Sequence, residues 1–131
     1  MKALDTGLLL GLLEGSAKAR ELVRRLRGVE LATTEANLLE LAYFVPSASR
    51  RSRSAGLGAL ERLRQRLTVL PLDGRSISAA SQRITGHAEK VAPTVAAMMG
   101  ALSAAGCEEL LTDDPRSIVG DWGIRVKIVP I

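Results

Sequence analysis

Short apolar runs recur along this chain with helical patterns between them, and this alternation narrows the fold more than any other feature. The runs are Lys2 to Leu4, Val29 to Ala32, Thr68 to Leu72, Glu109 to Leu111 and Ile124 to Val129. Each is too short for a helix and long enough for a strand buried on both faces. Strands joined by helices pair in parallel, because a crossover connection returns the chain to the same end of the sheet. The expected fold is therefore α/β, three layers with a central parallel sheet covered on both faces.

The segments between the runs carry helix signals. Leu8 to Leu13 is a helical run closed by Gly15, and Ser16 can cap a second helix. In that helix Leu22, Val23 and Leu26 fall on one side while Arg20, Arg24, Arg25 and Arg27 face out. Thr33 or Thr34 caps a third helix that runs to about Val45, where Pro46 stops it. The Ser/Arg-rich piece Ser47 to Ser54 reads as a linker or helix start, and Leu57, Leu60, Leu63 and Leu67 mark the amphipathic helix after it. Asp73 and Ser76 can initiate the helix that carries Ile77, Ala80 and Ile84. A turn from Gly86 to Pro93 leads into an Ala/Met-rich helix ending at Gly106, a natural C-cap. The loop from Asp113 to Gly123 is the most irregular part.

With 131 residues, 47% of them hydrophobic, the chain can bury one sizeable core, so a single domain over residues 1–131 is expected. Aromatic residues make up only 2%, which argues against modules that stack splayed bases on rings. The net charge of +4 favours an anionic partner without establishing one. A lone Cys107 excludes an internal disulfide and a cysteine zinc site, and a single His87 leaves little for a histidine-rich one. No apolar stretch is long enough to span a bilayer, and Asp5 interrupts the apolar core a signal peptide would need, so no membrane association and a cytoplasmic location are expected.

The chemistry is carried by acids at strand ends. Asp5 closes the first apolar run, and Leu110-Leu-Thr-Asp-Asp114 closes a late one. If both runs are parallel strands of one sheet, Asp5 and Asp114 meet at the carboxyl edge, where such sheets place their sites. Two carboxylates there point to a divalent metal. Glu40 would approach from the helix after the second strand, and a Glu in the apolar stretch Leu38-Leu-Glu-Leu-Ala42 has to face a cleft or a partner. Of the adjacent pair, Asp114 is taken as the ligand ahead of Asp113. Taken singly, Asp5 and Asp114 read equally well as caps or turn residues. Thr6 and Thr112 can hydrogen-bond the acids, and Arg50, Arg51 and Arg53 can track a phosphate backbone, although a solvated helix face would look the same.

Three motifs in this order resemble the PIN domain family, and within it the VapC-like toxins of toxin–antitoxin pairs. They are Leu4-Asp5-Thr6, then Thr33-Thr34 with Asn37 and Glu40-Leu41, then Leu110-Leu-Thr112-Asp113-Asp114. The resemblance covers nearly the whole chain. It implies a PIN-like fold, a metal-dependent endoribonuclease using Mg²⁺ or Mn²⁺ on RNA, an antitoxin partner and a homodimer. Asp5, Glu40 and Asp114 would be the catalytic, metal-holding acids. The aliphatic residues Leu9, Leu10, Leu12 and Leu13 also exceed what a small core hides easily, which is consistent with self-association.

One family position departs. An acid is usual near the start of the helix between Pro93 and Gly106, and here that position is held by Val95 or, on another alignment, Thr94. Thr94 could still orient a metal-bound water through its hydroxyl; Val95 could not. The alternative reading is therefore a degenerate PIN domain that binds RNA or a protein without cutting. A phosphate-transfer receiver domain fits less well, since paired acids after the first strand and a Lys after the last are missing. Lys127 lies inside the last run.

Overall fold

The structure, a computed structural model, describes residues 1–44, 50–85, 91–115, 118 and 120–129. Five strands form one sheet in the order β3-β2-β1-β4-β5, and every pairing is parallel. The strands are β1 (Lys2–Leu4), β2 (Leu31–Thr34), β3 (Thr68–Leu70), β4 (Glu109–Thr112) and β5 (Arg125–Ile128). Between them lie α1 (Thr6–Leu13), α2 (Ala17–Arg25), α3 (Glu35–Ala42), α4 (Arg50–Gln65), α5 (Gly74–Ile84) and α6 (Pro93–Ala104). The α/β sandwich around a parallel sheet expected from the alternation is the fold observed.

Successive residues of each strand serve opposite faces, as a pleated strand requires. Ala3, Ala32 and Leu110 pack on one side with Ala96, Met99 and Leu102 of α6. Leu4 and Leu111 pack on the other with Leu8, Leu9 and Leu41, flanked by Leu60 and Leu63 of α4. Leu9 is fully buried, and Leu10, Leu12 and Leu13 pack against that same cluster. The leucines of α1 are thus largely absorbed by the protein's own core, and they do not by themselves call for a second copy.

Several boundaries differ from the sequence reading for identifiable reasons. The second strand lies two residues later than Val29 to Ala32, because its register sets Lys2 against Leu31 and Ala3 against Ala32. Val29 instead sits in the preceding turn, its N–H donating to the Leu26 carbonyl at 3.0 Å. The third strand stops at Leu70, since Pro71 has no N–H for the ladder. The third helix ends at Ala42 with Tyr43 as its cap, and Val45, Pro46 and His87 lie outside the described residues. Of the two readings of the Ser/Arg-rich piece, the helix start holds for Arg50, Arg51 and Arg53, which form the first turn of α4. Trp122 is buried with Ala80 and Met99, and so fixes the loop before β5 to the α5–α6 side.

Helix α5 starts with a reciprocal cap: Asp73 Oδ1 accepts from the Ser76 N–H at 3.0 Å, and Ser76 Oγ accepts from the Asp73 N–H at 2.7 Å. The helix then lies so close to α6 that a Cβ on Gly100 would collide with the Ser76 carbonyl and sit 2.8 Å from the Ala80 Cβ. Only glycine fits there. Gly100→Ala should therefore lower stability by about 1–3 kcal/mol through overpacking, read as a fall in the urea midpoint with an unchanged slope. An unchanged midpoint would mean that α5 and α6 are not in this close contact.

Candidate functional site

The strand order places the site. From β1 the chain adds β2 and then β3 on one side, and then crosses to the other side of β1 for β4. The carboxyl ends of β1 and β4 therefore flank the point where the winding reverses, the crevice in which open α/β sheets bind ligands. Asp5 follows β1 directly, and its N–H donates to the Leu111 carbonyl at 3.0 Å, which extends the β1–β4 ladder to the site. Asp113 and Asp114 follow β4.

A cavity of about 420 Å³ opens at this edge. Asp5, Glu40, Asp113 and Asp114 all line it, as do Thr6, Gly7, Asn37, Thr94, Val95 and Met98. The three acids singled out in the sequence thus line one cavity with a fourth. Asp113, passed over in favour of Asp114, lies with its carboxylate against Gly7 so closely that a side chain at position 7 would displace it. Glu40 stands one helical turn after Asn37 on α3, so the two look the same way. The start of α6 also borders the cavity, beginning with Pro93 and without a side-chain cap on Ala92. Thr94 is exposed there, while Val95 is buried.

Asp5 is held by donors on both oxygens. Oδ1 accepts from the Thr6 N–H at 2.7 Å, so that Asp5 is also the N-cap of α1, and from Asn37 Nδ2 at 3.3 Å. Oδ2 accepts from the Thr112 hydroxyl at 2.6 Å, and Thr112 Oγ1 in turn accepts from the Asp114 N–H at 3.1 Å. Asp5 thus caps α1 while its side chain lines the cavity. Burial pushes its pKa above the ordinary value of 3.8. The Thr112 and Thr6 hydrogen bonds oppose that rise, and the negative charges of Glu40 and Asp113 add to it.

Asn37 is the residue whose contacts the sequence reading left without a role. It is 5% exposed, and its carbonyl Oδ1 accepts from the Thr34 hydroxyl at 2.6 Å. Its amide nitrogen faces Asp5, Thr6 Oγ1 at 3.0 Å and Met98 Sδ at 3.2 Å. Its i, i+3 spacing to Glu40 was the available signal. Arg53 is exposed on α4, and the side chains of Arg50 and Arg51 lie outside the described residues.

The donor set suits a hard divalent cation, since every acid offers carboxylate oxygen and no thiolate or imidazole intrudes. The acids surround the cavity without being drawn together: among the described residues, no three Asp, Glu, His or Cys side chains are gathered closely enough to hold an ion.

These features define a three-layer α/β protein with an acidic cavity at the switch point of its sheet. The PIN domain family matches residues 2–119, and the chain belongs to that family. Among solved structures it is similar to VapBC2 from Rickettsia felis bound to a promoter DNA fragment, with a TM-score of 0.80, 13% identity and 97% of each chain covered. DNA-bound VapBC from Salmonella typhimurium also gives 0.80, at 20% identity over 97% of this chain and 96% of that one. FitAcB from Neisseria gonorrhoeae gives 0.80 at 16% identity over 96% of each. At these identities the likeness is one of fold. Among curated proteins none matches in sequence. No helix among the described residues is long and apolar enough to cross a membrane.

The raised pKa of Asp5 has a stability consequence. A carboxylate whose folded pKa exceeds its unfolded value costs folding free energy when ionised, and that cost disappears as pH falls below the unfolded value near 3.8. Asp5→Asn keeps the cap and removes the charge. It should melt higher than the wild type at neutral pH, and the difference should shrink as the pH drops through the window between the raised value and 3.8. A difference that does not change with pH would show that the charge of Asp5 is not what strains the site.

Proposed function

We propose that this protein is a metal-dependent endoribonuclease of the VapC toxin type, held in check by an antitoxin. The observation that carries this reading is the convergence of Asp5, Glu40, Asp113 and Asp114 on one cavity at the sheet's switch point. Asp5, Glu40 and Asp114 are the residues that would hold Mg²⁺ or Mn²⁺. When bound, the ion would neutralise charge on the scissile phosphate and make a water acidic enough to attack at neutral pH. Thr112 and Thr6 fix the Asp5 carboxylate, and the exposed Thr94 hydroxyl is free to hold a water at the cavity wall. Four acids around one cavity repel one another and any anion, so RNA would enter productively only after a cation has offset them. The Arg50, Arg51 and Arg53 turn of α4 would hold the RNA backbone.

A second apolar crevice of about 350 Å³ has Leu4, Leu12, Leu31 and Leu63 in its walls and Arg20, Arg62 and Arg66 around it. Its chemistry suits an amphipathic, acidic segment, and this is where we place the antitoxin. For the homodimer, the exposed side chains of Leu39, Tyr43 and Phe44 on and after α3 offer a surface that the α1 leucines do not. Sedimentation at micromolar concentration should report a dimer, and Leu39→Glu should dissociate it. A monomer at high concentration removes this assembly and leaves the chemistry as it is.

The degenerate binding module is favoured by one observation, the buried Val95 where the family usually has an acid. Val95→Asp would put a hard oxygen ligand on the cavity wall in the first turn of α6, where the helix dipole favours a negative charge. It should strengthen Mn²⁺ binding in calorimetry and speed RNA cleavage, and comparison with Thr94→Asp decides which position matters. Asp5→Asn should abolish cleavage in every background. If none of these variants binds metal while RNA still binds with a steep salt dependence, the binding module replaces the nuclease.

A further inference from the structure

We propose that Asn37 is the positioning residue of this site, fixing Asp5 so that the carboxylate meets a cation in one orientation. The proposal deepens the nuclease reading and rests on it. Its basis is the way Asn37 is itself held. Oδ1 of its amide accepts from the Thr34 hydroxyl at 2.6 Å, which leaves only one sense for the amide: the NH₂ group must face the other way. Thr34 Oγ1 also accepts from the Asn37 backbone N–H at 3.2 Å, as the N-cap of α3. One threonine thus starts the helix and orients the amide.

On the far side the NH₂ group meets the Asp5–Thr6 pair. It stands 3.0 Å from Thr6 Oγ1 and 3.3 Å from Asp5 Oδ1, with Met98 Sδ of α6 at 3.2 Å closing the third direction. Asn37 thereby ties the carboxyl end of β1 to α3 and α6 at the one point where all three border the cavity. Thr6 N–H and Asn37 hold Oδ1, Thr112 holds Oδ2, and the carboxylate has no free rotation left. The residue is 5% exposed, so this geometry does not compete with water. A carboxylate fixed in this way loses no rotamer entropy when a cation arrives. Glu40 lies on the same face of α3, three residues on.

The test is Mn²⁺ affinity by calorimetry for the wild type, Asn37→Ala, Asn37→Asp and Asp5→Asn. The wild type should bind, Asp5→Asn should not, and Asn37→Ala should bind about 10- to 100-fold more weakly, the usual cost of losing a partner that orients a ligand. Asn37→Asp keeps the shape and the acceptor for Thr34 but loses the donor. It should also bind more weakly, although it adds a carboxylate to the cavity. Binding by Asn37→Asp as tight as in the wild type, or tighter, overturns the proposal, as does an Asn37→Ala variant with wild-type affinity.

Absence of binding by the wild type itself removes the nuclease reading and this inference together, and so is told apart from failure of Asn37 alone. A measurement on the unmutated chain guards against misfolded variants. Adding Mg²⁺ should shift the Asn37 side-chain NH₂ resonances in the wild type and not in Asp5→Asn. A role confined to packing would leave them unmoved on Mg²⁺ addition, and that result overturns the proposal.

Discussion

The pairing of β1 with β4 is the constraint on which the rest of this structure depends. It sets Leu4 beside Leu111 and brings the N–H of Asp5 to the Leu111 carbonyl, so the ladder runs without a break into the acidic cavity. It also divides the core, because Ala3 and Leu110 face α6 while Leu4 and Leu111 face α1. Every side chain at the site takes its place from this pair of strands or from a helix packed across them. A slip of one residue in register would turn Thr112 away from Asp5 and exchange the two cores at once.

The site opposes the stability of the fold around it. Burial and two neighbouring acids work against the ionised Asp5, and three donors on its two oxygens work for it. The donors are themselves held: Thr112 by a strand fully enclosed in the sheet, Asn37 by Thr34. Local conflict of this kind, surrounded by structure that over-determines it, is what a protein keeps where it needs charge in a fixed place. Membership of the PIN domain family and the likeness to VapBC structures agree with the parallel sheet and strand order that put this carboxylate at the carboxyl edge.

The architecture was legible because each of its signals is local. Alternating runs announce parallel strands, Ser16, Asp73 and Gly106 announce helix ends, and the strand-end position of Asp5 and of Thr112 to Asp114 announces the edge where they lie. What stayed hidden needed partners far along the chain. The two-residue shift of β2 follows from its register against β1, and no threonine pattern could reveal it. The role of Asn37 depends on Asp5, 32 positions away, and on Met98, 61 positions away. That Asp113 borders the cavity beside Asp114 depends on Gly7, whose missing side chain leaves room for the Asp113 carboxylate. The α1 leucines looked surplus because the sequence does not show that α4 and β4 cover them.

Asp5 and Thr112 are 107 positions apart and yet share a hydrogen bond. During synthesis β1 meets its neighbour β2 early, but its other neighbour, β4, follows only after β3 and the helices α3 to α6, so that side of the central strand waits. Pairings of such long range are slow to form and decide when folding can finish. The acidic cavity accordingly comes into existence only after β4 has been made and has paired with β1. A chain that stops short of β4 lacks the assembled site, since Asp113, Asp114 and the Thr112 hydroxyl that holds Asp5 all come with that strand.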